Sequence, residues 1–180
     1  MKFNRRINPE IKPKQNFITK KRFKEDEIDF NKLRSYRLDR VKKELEKNNL
    51  EACILFDPVN IRYALDTVNM SVHNMHNLTR YCFVPIKGPV ILYEYFNCEK
   101  LSEHLNLIDE IRPAISWDYF GNGSQVDAKL KEWINEISDL SNSYFKSKKI
   151  AIDVLNGPAV LALDKIGIKV VDAKSILEKA

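Results

Sequence analysis

The sequence predicts an α/β layer fold, a mixed β-sheet flanked by helices. Short apolar runs alternate with helix-period segments from residue 30 onward, the pattern of strands and helices stacked in layers. Two of those runs, RYCFVP and PVILYEY, are joined by Ile86-Lys87-Gly88, a hairpin-like link that supplies the antiparallel part of the sheet. With 44% hydrophobic content in 180 residues the chain can bury one core, so it reads as one domain with extensions.

Residues 1–28 have few large apolar residues and no period, and are expected to be an extended arm ahead of a domain over 29–180. The first helix comes next, where Leu38, Val41 and Leu45 recur at three and four residues and Asn48-Asn49 offers a stop. ACILF is a continuous apolar run, a strand buried on both faces. Asp57-Pro58 ends it and opens a short helix over Val59 to Leu65, since proline cannot continue a ladder but suits a helix start. A polar loop leads to the hairpin strands.

NCEKLSEHL reads as a short helix, EIRPAI as a strand that Pro113 places at an edge or an ending, and FGNGS as a turn. Ser124 and Asp127 match a capping box. The helix they would open carries Val126, Leu130, Trp133, Ile134 and Ile137 on one face. KKIAID is a strand, GPAVLALDKIG a helix with proline near its start and glycine after its end, IKVVDA the last strand, and Lys174 to Lys179 the start of another helix.

The net charge of +5 is unevenly spread. Nine Lys/Arg against Glu10 give residues 1–24 a charge of +8, so the remainder carries −3. That distribution speaks against a nucleic-acid-binding domain, leaving only the arm as a candidate contact for phosphates or membrane. No apolar run approaches the roughly 20 residues of a membrane span, and no secretory signal pattern is present. Cys53, Cys82 and Cys98 are odd in number and widely spaced, as reduced thiols of a cytoplasmic protein are.

Self-sufficient catalytic motifs are missing. No glycine-rich phosphate loop or G-x-S-x-G elbow can be written. His73 and His76, three apart, can share a helix face, but a stable metal site needs three or four ligands and His104 lies in another element. The expectation is therefore no metal in this chain, with the two histidines structural or in contact with a substrate. Asp57 and Asp66 flank the short helix as terminus partners. Trp117, Tyr119 and Phe120 are either core or the wall of a ligand pocket.

LFDPVNIRYALDTVNM, preceded by RSYRLDRVKKELEKNNLEACI, resembles the N-terminal domain of the creatinase, prolidase and aminopeptidase P superfamily, whose catalytic half has the pita-bread fold. FDPVNIRYALDTVNM, NMHNLTRYCFVP, GPVILYEYFNCEKLSE and DEIRPA are similar to segments of the dimethylsulfoniopropionate lyases of that superfamily. The resemblance covers Leu33 to Leu177. It implies a three-layer creatinase N-terminal-type domain that builds a homodimer, covers the neighbouring subunit's active-site mouth and has no catalytic residue of its own. The parent enzyme is expected to hold one or two divalent ions, with iron, manganese, zinc and cobalt all open, and to act on a small molecule.

The family's Asp, Asp, His, Glu, Glu ligands belong to a catalytic half that would begin where this chain stops, so none carries over. The expectations are a domain separated from that half or a standalone relative. An Xaa-Pro peptidase, prolidase or creatinase-type hydrolase parent, or an independent small-ligand module, are the alternatives. By the resemblance Asn69, His73, Asn74 and His76 are the first candidates for an active-site-facing rim, with Trp117 and Tyr119 second. Asp57 and Pro58 are scaffold, while Asn60, Arg62 and Tyr63 either brace the turn or touch substrate.

Overall fold

The computed structural model describes residues 28–180. The arm expected over residues 1–28 lies outside the described residues apart from Ile28. The chain divides into two units, Met1–Phe30 and Asn31–Ala180, and the second contains the sheet.

Helix α1 (Phe30–Lys47) buries Leu38, Val41 and Leu45, as its period requires. It stops where the two asparagines stand. Asn49 takes φ 54°, the Asn49 amide bonds the Glu46 carbonyl at 3.0 Å, and the Leu50 amide reaches back to the Leu45 carbonyl at 3.0 Å. That is a Schellman ending, with Leu50 buried beside Leu45 in the same apolar cluster.

Strands β1 (Ala52–Leu55), β2 (Tyr81–Pro85), β3 (Ile91–Glu94), β4 (Glu110–Pro113), β5 (Lys149–Ile152) and β6 (Lys169–Asp172) form one sheet in the order β4-β3-β2-β1-β5-β6. β2 runs antiparallel to β1 and β3, and every other pairing is parallel. Five strands therefore point one way and end at one pole. At the opposite pole the β2–β3 turn depends on Gly88, whose φ is +121° and where a Cβ would lie 2.7 Å from the Tyr144 ring.

Alternation along β1 divides the core. Ala52, Ile54 and Phe56 pack with Trp133, Ile137 and Leu140 of α5 (Val126–Tyr144) and with Ala159 and Leu163 of α6 (Gly157–Lys165). Cys53 and Leu55 pack on the other face with α1, with Ile61 and Leu65 of α2 (Pro58–Leu65), and with Ile176 of α7 (Lys174–Leu177). The result is a helix, sheet, helix sandwich. Pro113 closes edge strand β4, where its missing amide costs no ladder bond.

Three local expectations are corrected. NCEKLSEHL yields only one 3-10 turn, Glu99–Leu101. The Ser124/Asp127 capping box does not form: Gln125 occupies the N-cap of α5 with no side-chain bond. FGNGS is already helical, as α4 (Tyr119–Asn122) followed by a 3-10 turn over Gly123–Gln125, so the chain enters α5 from a helical turn. The extended entry that a capping box serves is lacking.

Candidate functional site

The pole where β1, β3, β4 and β5 end and β2 begins collects most of the polar side chains that the layers bury. Ligands of open α/β sheets favour this edge. Asp57 caps α2 by accepting the Val59 amide at 2.8 Å, and Pro58 stands in the first turn. Asn60 donates to Asp153 at 2.9 Å, and the same carboxylate accepts the Phe56 amide at 2.8 Å and the Asp57 amide at 3.1 Å. Burial pushes the Asp153 carboxyl above its ordinary range, partly opposed by those donors. One acid at the end of β5 thus ties down the end of β1 and the start of α2.

Three arginines of α1, spaced a turn apart, brace the far end of α2 and the chain terminus. Arg34 pairs with Asp66 at 2.9 Å. Asp66 caps the carboxyl end of α2 in the left-handed conformation, where the helix dipole disfavours an anion, and the guanidinium offsets this. Arg37 lies over the Tyr63 ring at 5.7 Å, and Arg40 donates to the Lys179 carbonyl at 3.2 Å. The Tyr63 hydroxyl donates to the Ala180 carbonyl at 2.8 Å. Arg62 is exposed and serves α2 through its carbonyl, which accepts the Asp66 amide.

The segment expected as a polar loop contains a six-residue helix, α3 (Ser71–His76). Its outer side carries Val72 and Met75, 83% and 70% exposed. Beside it stand Tyr119 and Phe120 of α4, 79% and 83% exposed, with the His73 ring 6.3 Å from Phe120 and 5.8 Å from Tyr95. A groove of about 140 Å³ between α3 and the end of β1 is lined by Phe56, Asp57, Pro58, Met75 and Val154. Next to it, His76 and Met75 face Trp117, Asp118 and Asn156.

Asn74 and Trp117 face inward. Asn74 is 1% exposed; its amide donates to the Phe56 carbonyl and its oxygen accepts the Arg80 amide at 2.8 Å. It faces inward because the backbone ends at this pole need partners. Trp117 is core, 4.4 Å from Trp133 and edge-on to Phe56, and its indole N–H donates to Asn156 at 3.2 Å. Asn69, His73, His76 and Tyr119 remain on the α3 side of the pole.

Under α3 lies a buried ion pair. Arg80 Nε donates to Glu94 Oε2 at 2.8 Å, with both side chains almost fully enclosed. Arg80 Nη2 also donates to Thr67 Oγ1 at 2.6 Å, and Thr67 meets the Ser102 hydroxyl. Asn69 donates to Glu94 Oε1 at 3.0 Å, which accepts the Tyr95 amide at 2.9 Å. Burial pushes the Tyr95 hydroxyl up to about 12, so it stays a neutral donor to Asn74 at 3.3 Å.

The chain is 30% identical over 149 residues to the dimethylsulfoniopropionate lyase DddP of Roseobacter denitrificans, and 28% identical over 152 residues to that of Roseovarius nubinhibens. Those matches take in 82% and 84% of this chain but 33% and 34% of the lyases, so the chain spans about a third of the length of the curated relatives it matches. No family model matches the chain. In fold it is similar to the creatinase/prolidase N-terminal domain of an X-Pro dipeptidase from Streptococcus pyogenes, with a TM-score of 0.55, 16% identity, and 81% of this chain and 98% of that one covered.

The chain has the fold of a creatinase/prolidase N-terminal domain.

The aminopeptidase P of Streptococcus thermophilus shows the same creatinase-type fold at a TM-score of 0.57 and 15% identity, covering 81% of this chain and 95% of that one. Among the described residues no group of three or more His, Cys, Asp or Glu is placed to hold a metal. No helix among them is long and apolar enough to cross a membrane.

Sequence reasoning missed Arg80, Glu94, Thr67, Ser102 and Asp153. The available signal was a charge inside or abutting an apolar strand: Arg80 before YCFVP, Glu94 within VILYEY and Asp153 closing KKIAID. A charge flanked by residues that must be buried needs an internal partner.

Proposed function

We propose that residues 29–180 act as the noncatalytic N-terminal domain of a pita-bread metalloenzyme whose parent is a dimethylsulfoniopropionate lyase-like enzyme. The domain forms a homodimer and covers an active site with α3 and Tyr119. The lyase reading is supported by the relative that is 30% identical. The covering role is carried by one observation: α3 turns Val72 and Met75 outward while burying Asn74. A helix that spends its apolar side chains on the outside suits a surface that meets something else.

His73 and His76 add groups that can donate or accept a hydrogen bond at that surface. Covering a reaction mouth excludes water and adds contacts to a substrate whose reacting atoms are held elsewhere. The divalent ions of such an enzyme would polarise or activate the reacting group, and no step through them is assigned to this chain. The free thiols Cys53, Cys82 and Cys98 fit a cytoplasmic parent.

The test uses a full-length parent carrying this domain, with His73→Ala and His76→Ala combined with Tyr119→Ala. We expect KM to rise about tenfold, equivalent to about 1.4 kcal/mol, with metal content unchanged. Unchanged KM and kcat would remove the rim from the mechanism. Assaying dimethylsulfoniopropionate beside an Xaa-Pro dipeptide separates the lyase reading from the peptidase alternative.

A further inference from the structure

α3 lacks what usually holds a helix. It has six residues, and isolated helices shorter than about 12 residues are marginal in water. Met70 occupies its N-cap in the left-handed region, at φ 31° and ψ 50°, and makes no side-chain bond to the first amides. Its apolar side chains do not anchor it, since Val72 and Met75 face solvent.

Hydrogen bonds attach the segment instead, and they converge. Thr67 accepts from Arg80, Asn69 donates to Glu94, and Asn74 accepts the Arg80 amide. Thr67 and Asn69 thus lead to two charges that face each other at 2.8 Å, while Asn74 ties α3 to the Phe56 carbonyl and to the Arg80 backbone amide. The upstream boundary of the segment is Asp66, which ends α2 in the left-handed conformation, and the downstream boundary is Asn77, the C-cap of α3, ahead of β2.

We propose that the Arg80–Glu94 pair is the positioning element of the rim, and that it latches residues 67–77 as a flap that opens as a unit while the sheet stays folded. Arg80 and Glu94 touch no substrate; they act by setting where His73, Met75 and His76 stand. The flap's use rests on the covering role proposed above, whereas its attachment is independent of that role. Opening is local because the outward residues have little burial to lose, whereas the strands beneath are buried on both faces.

The experiment is amide hydrogen exchange on this chain, comparing residues 67–77 with strand amides at Cys53, Cys82 and Leu92. In Arg80→Met/Glu94→Leu an apolar pair replaces the ion pair and can keep the core filled, but nothing remains to receive Thr67 and Asn69. Exchange in 67–77 is expected to rise at least tenfold, with the strand amides and the urea midpoint near wild type. Thr67→Val/Asn69→Ala cuts the same attachment from the flap side with the ion pair intact, and decides alone if the first variant does not fold. Wild-type exchange in the flap, or a rise shared equally by the strands, would overturn the latch. A selective rise together with unchanged kinetics in the His73/His76/Tyr119 variant of the parent would overturn the covering role and leave the latch standing.

Discussion

α2 and α3 are neighbouring short helices built on opposite logic. α2 has a side-chain cap from Asp57, proline in its first turn and four buried residues, Pro58, Ile61, Ala64 and Leu65. α3 has no cap bond, buries Asn74 alone, and shows its apolar residues to solvent. The first is held by local signals and apolar burial. The second is held by the bonds of Asn74 to backbone groups and, through Thr67 and Asn69 just upstream, by an ion pair beneath it, so its outer face is free to serve something other than the core.

The sharpest way to break this comparison is at the support of α3. Glu94→Ala leaves Arg80 charged, buried and unpaired, and should cost about 3–5 kcal/mol in urea unfolding. At the core of α2, Ile61, fully buried, should cost about 2–5 kcal/mol on replacement by alanine. Next in size comes the cap of α2, where Asp57→Ala should cost about 1 kcal/mol. The truncations on α3 that match Ile61→Ala, Val72→Ala and Met75→Ala, should fall within about 0.5 kcal/mol of wild type. A loss above about 1 kcal/mol there would mean that α3 is anchored by its apolar side chains after all.

Asp153, which fastens the start of α2, makes the comparison depend on pH. Its carboxyl is raised by burial in the folded chain, so the folded state holds its proton more tightly than the unfolded state. From the ordinary carboxylate value of about 4 upward, this group's contribution to stability falls as pH rises through the raised value and is constant above it. Urea midpoints tracked across that window should show this component in wild type and lack it in Asp153→Asn. A component of the opposite sign would mean that the three N–H donors outweigh burial.

Much of this was legible in the residues. Leu38, Val41 and Leu45 gave α1 its buried face, Asn48-Asn49 its ending, and Asp57-Pro58 the start of α2, because each signal acts within a few residues. The hairpin strands and the edge position of β4 came from Gly88 and Pro113. The capping box at Ser124 failed although its spacing was right, because the chain enters α5 already helical. Asn74 and Trp117 were expected on the rim and face inward. Polarity and aromaticity do not tell which way a side chain points when the nearest backbone ends belong to strands distant in sequence.

By itself, then, the sequence determined the layers, the order of helices and strands, and a resemblance carried by FDPVNIRYALDTVNM. Periodicity and turn chemistry are local, and a short window of residues contains them. Only the tertiary structure decided that Arg80 meets Glu94 across β2 and β3, that Asp153 reaches the end of β1 from β5, and that the segment leading into α3 is tied to the first pair while α3 keeps its apolar side outward. Buried charges find their partners through strand register and burial, and those exist only once separate parts of the chain have been brought side by side.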